Sequence, residues 1–211
     1  MTLPGKPTSY STPHLVPYEG PLVVDYDCEF IEEPGRRDLI SIGLVGPDEK
    51  TYYAVNSKIP VGRIRRHPWL MANVVPHLPG SRADLAHPRR PWPRRPRLFA
   101  PYAPEVKPPQ QIAAEGLNFL RSYPRGCELY GWCPAFDHVV LAWLWGTMAD
   151  PPEGVPWCTR DIGQDAARLG VDLKGDQAPP RLREAHHSLG DAWHQRHLRH
   201  WLAEVEAARG R

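Results

Sequence analysis

Hydrophobic and polar positions divide this chain into short blocks. Leu22-Val23-Val24 is a buried-strand run that ends in the acidic cluster Asp25-Tyr26-Asp27-Cys28-Glu29, and Glu33-Pro34-Gly35 forms a turn signal. Leu39 to Val45 and Thr51 to Val55 read as two further strands joined by Gly46-Pro47-Asp48. Together they predict a three-stranded meander whose first strand carries the acids. Between Pro60 and Pro79, Trp69-Leu70-Met71 and Val74-Val75 suggest a short helix. Gln110 to Arg121 places Ile112, Ala113, Leu117 and Leu120 at helical spacing. Glu128 to Trp132 is a fourth strand, and Phe136 to Trp145 an apolar helix cut at Gly146. Trp157 to Arg160 reads as a fifth strand and Asp161 to Leu169 as a helix stopped by Gly170. A last helix runs from about Gly190 to Ala208, with Trp193, Leu198, Trp201, Leu202 and Val205 on one side. This order predicts an α/β fold around a mixed sheet, and no internal repeat is visible.

Length and composition narrow the picture. With 211 residues and 41% hydrophobic content, the chain can build one domain with a sizeable core. No run of about 18 apolar residues is available to span a bilayer, and the first 20 residues lack the apolar stretch of a secretory signal. A net charge of +2 sets up no strong field for nucleic acid or membrane, and the four cysteines have neither zinc-type spacing nor disulfide density. A reduced, cytoplasmic protein without membrane partners is expected. The 26 prolines are unevenly placed. They mark residues 1–20 as a loose extension and interrupt the domain, 21–211, with a Pro/Arg-rich insertion at about 80–109. Arg89, Arg90, Arg94, Arg95 and Arg97, interleaved with Trp92, Phe99 and Tyr102, read either as a solvated insertion or as a clamp for RNA phosphates and bases.

Three acidic features then stand out. Asp27 and Glu29 are two apart on a strand and project from one face; alone, they are an ordinary solvated strand end. Asp137 opens the apolar helix after the fourth strand, where a carboxylate also suits the helix dipole. His186-His187-Ser188-Leu189-Gly190-Asp191 leads into the last helix, where Asp191 alone is a helix-start acid and His186 a loop histidine.

In this order and on these elements, the set resembles the DEDDh group of 3′–5′ exonucleases, which have an RNase H-like fold. The resemblance is closest to RNase AS, a family of small bacterial ribonucleases that prefer adenylate-containing RNA. It is carried by Tyr26 to Glu32, Leu39 to Gly43, Tyr52 to Val55, Gln110 to Ile112, Ala135 to Val139, Leu144 to Gly146 and His186 to Ala192, and covers roughly residues 22–202.

The resemblance implies a hydrolase that removes nucleoside 5′-monophosphates from an RNA 3′ end, using two Mg²⁺ or Mn²⁺ ions held by Asp27, Glu29, Asp137 and Asp191. Such hard ions favour carboxylate oxygens over Cys or His. His186 is implied as general base, because it rather than His187 has the family's spacing to Asp191. Phe30, next to Glu29, and Trp132, where many relatives have His-Asn with Cys133, are implied substrate contacts; Phe30 reads equally well as core. A homodimer is implied as well. The rival enzymatic reading is a DNA 3′–5′ exonuclease of the same fold, and the non-enzymatic one an RNA-binding module on an inactive scaffold. His194, His197 and His200 recur every three residues on the last helix without a Cys or carboxylate companion, and read as a polar surface face.

Overall fold

A computed structural model describes residues 22–80, 98–181 and 185–210. Strand β1 (Leu22–Glu33) turns at Gly35 (φ +74°) into β2 (Arg36–Val45), which leads to β3 (Thr51–Asn56). A helical turn α1 (Val61–Ile64), α2 (Pro68–Asn73) and a 3₁₀ turn (Val75–His77) follow. Then come β4 (Val106–Lys107), α3 (Pro109–Arg121), β5 (Cys127–Gly131), α4 (Ala135–Ala142), β6 (Thr159–Asp161), α5 (Ile162–Leu169) and α6 (Ser188–Arg209). The six strands form one sheet in the order β4-β3-β2-β1-β5-β6. β1, β2 and β3 pair antiparallel, whereas β5 runs parallel to β1 and β6 parallel to β5. A mixed sheet flanked by helices is the predicted fold class, and its topology is consistent with an RNase H-like fold.

Alternation along β1 divides the core. Val24, Tyr26 and Cys28 join Ile42, Leu44 and Ala54 in a cluster sealed by Ile112 and Leu120 of α3 and Val140 and Leu141 of α4. Odd-numbered Asp25, Asp27 and Glu29 face α6 instead. On that side a second cluster packs Ile31, Ile40 and Val55 under α1, α2 and the 3₁₀ turn, and a third joins α5 to Leu198 and Leu202 of α6.

The structure departs from the sequence reading in three places. β1 does not end at its acids but continues to Glu33, paired with β2 across a bulge after Glu29. At the end of the Pro-rich stretch, Leu98 and Phe99 are buried and Val106–Lys107 pairs with β3. Phe99 is therefore core rather than a base-stacking group, while Tyr102 is exposed. The arginines and Trp92 of that stretch lie outside the described residues, as does the 1–20 extension. Finally, α6 buries polar residues: Asp191, His194, Gln195 and Arg196 are all under 9% exposed, so His194 is not part of a surface face. No described helix is long and apolar enough to cross a membrane.

Candidate active site

The site forms where β1 outruns β5. Pairing of β1 with β5 stops at Asp25↔Tyr130, whereas pairing with β2 runs on to Glu33. Asp27 and Glu29 therefore lie beyond the C-terminal end of β5, in the crevice where α/β sheets place ligands. The Cys28 N–H, left without a β5 partner, donates to Asp137 Oδ1 at 2.8 Å. The first turn of α4 thus delivers a third carboxylate between the two acids of β1.

The connection that aims Asp137 is tight. At Gly131 an added Cβ would lie 2.6 Å from Pro134 Cβ, and Cys133 adopts φ +53°. Asp161 Oδ1 accepts the N–H of Cys133 at 3.0 Å and that of Gly163 at 2.8 Å, so one carboxylate pins this turn and caps α5.

Helix α6 supplies the fourth acid by a register match. Arg199 donates twice to Asp25, both at 2.8 Å, and Gln195 Nε2 donates to Asp27 Oδ1 at 2.9 Å. Asp191, four residues further toward the helix start, comes beside Glu29, whose carboxyl it pushes up. Four helical residues rise about 6 Å and two strand residues about 6.6 Å, so the helix reads every second position of β1. The helix start can approach because β2 has Gly43 beneath it: a Cβ there would lie 2.3 Å from Leu189 N.

The two adjacent histidines separate. His187 Nδ1 accepts the Gly190 N–H at 3.2 Å as the α6 cap, and its ring stacks on Tyr53 at 4.6 Å. His186 lines the cleft in a left-handed conformation (φ +66°), a strained state for a non-glycine residue that marks functional positions. Its N–H donates to Asp191 Oδ2 at 2.8 Å, and its ring meets Trp69 edge-on at 4.7 Å. Ligand atoms of Glu29, His186 and Asp191 lie within 4.8 Å of one another.

The carboxylates are crowded. Burial, then the charges of Asp137, Glu29 and Asp191, push the Asp27 carboxyl well above its usual range. Burial and Asp191 raise Glu29 to about 8, and burial raises Asp137 to about 6 although the Cys28 N–H favours its ionised form. Arg181 donates to Asp191 Oδ1 and partly offsets this charge. The donor set is oxygen-rich and short of positive charge, which fits a hard divalent cation.

The cleft holds about 450 Å³. Phe30 and Trp132 both line it, and Phe30 also packs edge-on against Phe136 at 6.5 Å. Asp25, by contrast, is fully buried in its ion pair with Arg199, away from the cleft lining. Arg181, Gln195 and Trp69 were not legible as site residues, because each stands outside any motif. A signal existed for Gln195: it falls four residues from both Asp191 and Arg199 on the stripe that α6 buries.

Over 187 residues, 88% of this chain and 96% of the relative, the sequence is 35% identical to a protein named 3′–5′ exoribonuclease from Mycobacterium tuberculosis strain ATCC 25618 / H37Rv. The same identity and coverage hold for the protein of that name from strain CDC 1551 / Oshkosh. No family model matches the chain.

Proposed function

The chain belongs to the same family as these two 3′–5′ exoribonucleases, and from that premise we propose that it removes nucleotides one at a time from an RNA 3′ end, as a DEDDh enzyme closest to RNase AS. The observation that carries this reading is the convergence of Asp27, Glu29, Asp137 and Asp191 from three elements into one cleft, where burial and neighbouring acids raise the carboxyls of Asp27, Glu29 and Asp137.

Asp27, Glu29, Asp137 and Asp191 would hold the Mg²⁺ or Mn²⁺ ions. A pair of divalent ions supplies Lewis-acid charge to the attacking and leaving oxygens of a phosphodiester displacement. His186 takes the proton of the attacking water. Asp191 fixes the backbone of that histidine, and Trp69 abuts its ring. Water's oxygen bonds to phosphorus and the bond to the upstream 3′-oxygen breaks. That oxygen gains a proton, and a nucleoside 5′-monophosphate departs. Phe30 and Trp132 offer aromatic faces for bases, each stacking contributing about 1–3 kcal/mol. Residues 21–211 constitute the exonuclease domain, acting in the cytoplasm as a homodimer.

The test is to incubate the protein with RNA and matched DNA of varied 3′ ends, with and without Mg²⁺. Metal-dependent release of nucleoside 5′-monophosphates from RNA, fastest at adenylate ends, is expected. Preferential attack on DNA would transfer the assignment to a deoxyribonuclease, and binding without cleavage would leave an RNA-binding module.

A further inference from the structure

A second cleft of about 330 Å³ opens beside the acidic one and shares Trp132 and Arg181 with it. Its remaining wall comes from the segment after α5, including Lys174, and from His194 of α6. The Lys174 ammonium lies 5.7 Å from the centre of the Trp132 ring. His194 is 8% exposed, and its Nδ1 has no hydrogen-bond partner among the described residues. A buried polar atom left unpaired is costly, and a polar ligand in this cleft would relieve it. An aromatic face, two cations and an unpaired imidazole nitrogen match the parts of a nucleotide: a base, a phosphate and a hydrogen-bonding edge.

We propose that this cleft binds the RNA nucleotide immediately upstream of the scissile phosphate. The base takes the Trp132 ring, the next phosphate lies against Lys174 and Arg181, and His194 Nδ1 hydrogen-bonds the base or its ribose. The shared wall is why the occupant belongs to the RNA being cut: a ligand in one cleft abuts a ligand in the other. The volume is within the range of small-ligand sites. This inference rests on the exoribonuclease reading.

Lys174 is exposed and touches none of the four acids in the hydrogen bonds and ion pairs described above, so Lys174→Ala tests the subsite without disturbing the fold. Two substrates are compared: a ten-nucleotide RNA, and a dinucleotide lacking a 5′-phosphate, whose single phosphate is the scissile one. Lys174→Ala should lower kcat/KM on the longer RNA about 10-fold, mainly through KM, and reduce the salt slope by about 1. Dinucleotide cleavage should stay within about twofold of wild type. Equal loss on both substrates, or none on the longer RNA, overturns the subsite while leaving the nuclease reading intact. A wild-type protein inert on both would overturn the nuclease reading and the subsite with it.

Discussion

Gln195 Nε2 donates to Asp27 Oδ1 at 2.9 Å, tying the N-terminal half of α6 to the second acid of β1. This bond favours the ionised carboxyl against burial and three neighbouring acids. Replacing Gln195 with leucine removes the donor, so protons compete harder with metal for Asp27. Partners that orient metal ligands are typically worth about 10–100-fold in affinity. Calorimetric titration of Gln195→Leu with Mn²⁺ should show a loss in that range; unchanged affinity would mean that β1 alone positions Asp27.

The raised carboxyls make stability pH-dependent. Unfolded, Glu29 and Asp137 titrate near 4.5 and 3.8; folded, they titrate at about 8 and about 6. Across that window the folded protein binds more protons than the unfolded chain, so stability falls as pH rises from about 4 to about 8. Melting in the presence of a chelator should show this decline. Millimolar Mn²⁺ should raise the melting temperature and flatten the decline, since metal replaces the protons. At this chain length each kcal/mol moves the midpoint by about 2–4 °C. A chelated protein equally stable at both ends of the window would contradict the crowding.

His186 and His187 should fail differently. His186→Ala removes the proposed general base and should cost about 10²–10⁴-fold in kcat with little change in melting temperature. His187→Ala removes the α6 cap and the stack on Tyr53, and should cost about 0.5–2 kcal/mol of stability while sparing kcat. Paired kinetics and melts on both variants decide; a reversed pattern would exchange their roles.

Gly43→Ala tests the seat of α6. The new Cβ would lie 2.3 Å from Leu189 N and 2.5 Å from Ser188 C, both backbone atoms, so the helix start must move. A loss of about 1–3 kcal/mol is expected, with weakened Mn²⁺ binding because Asp191 moves too. Gly62→Ala is the control, since its Cβ would meet only Arg66 Nη1, at 3.8 Å; its melt and metal affinity should match wild type.

The legible parts of this molecule obey short periods. A short apolar run marked β1 and the period of two the shared face of Asp27 and Glu29; helical spacing marked α3 and α6; strand-then-acid order marked Asp137. Residues that act through tertiary contact were harder to see. Arg181 sits in a loop with no pattern of its own. Trp69 lies in a short helix whose partner, His186, is more than a hundred residues away. On α6, His194 looked like part of a polar surface face because His197 and His200 follow it at regular spacing, yet it is buried; nothing local to Gln195 or Arg199 showed that β1 presents polar partners to the helix at matching intervals. Likewise β4 escaped notice, since two residues added at a sheet edge carry no period.

The two-against-four match between β1 and α6 also limits how such a chain can vary over generations. One extra codon between Asp25 and Asp27 would rotate every later residue of the strand half a turn, turning the two downstream acids toward the aliphatic side and Cys28 toward the helix. Such a variant would be silenced even if it still folded. Gains and losses of length belong instead to connections such as 143–158, which lie outside the strand-and-helix match.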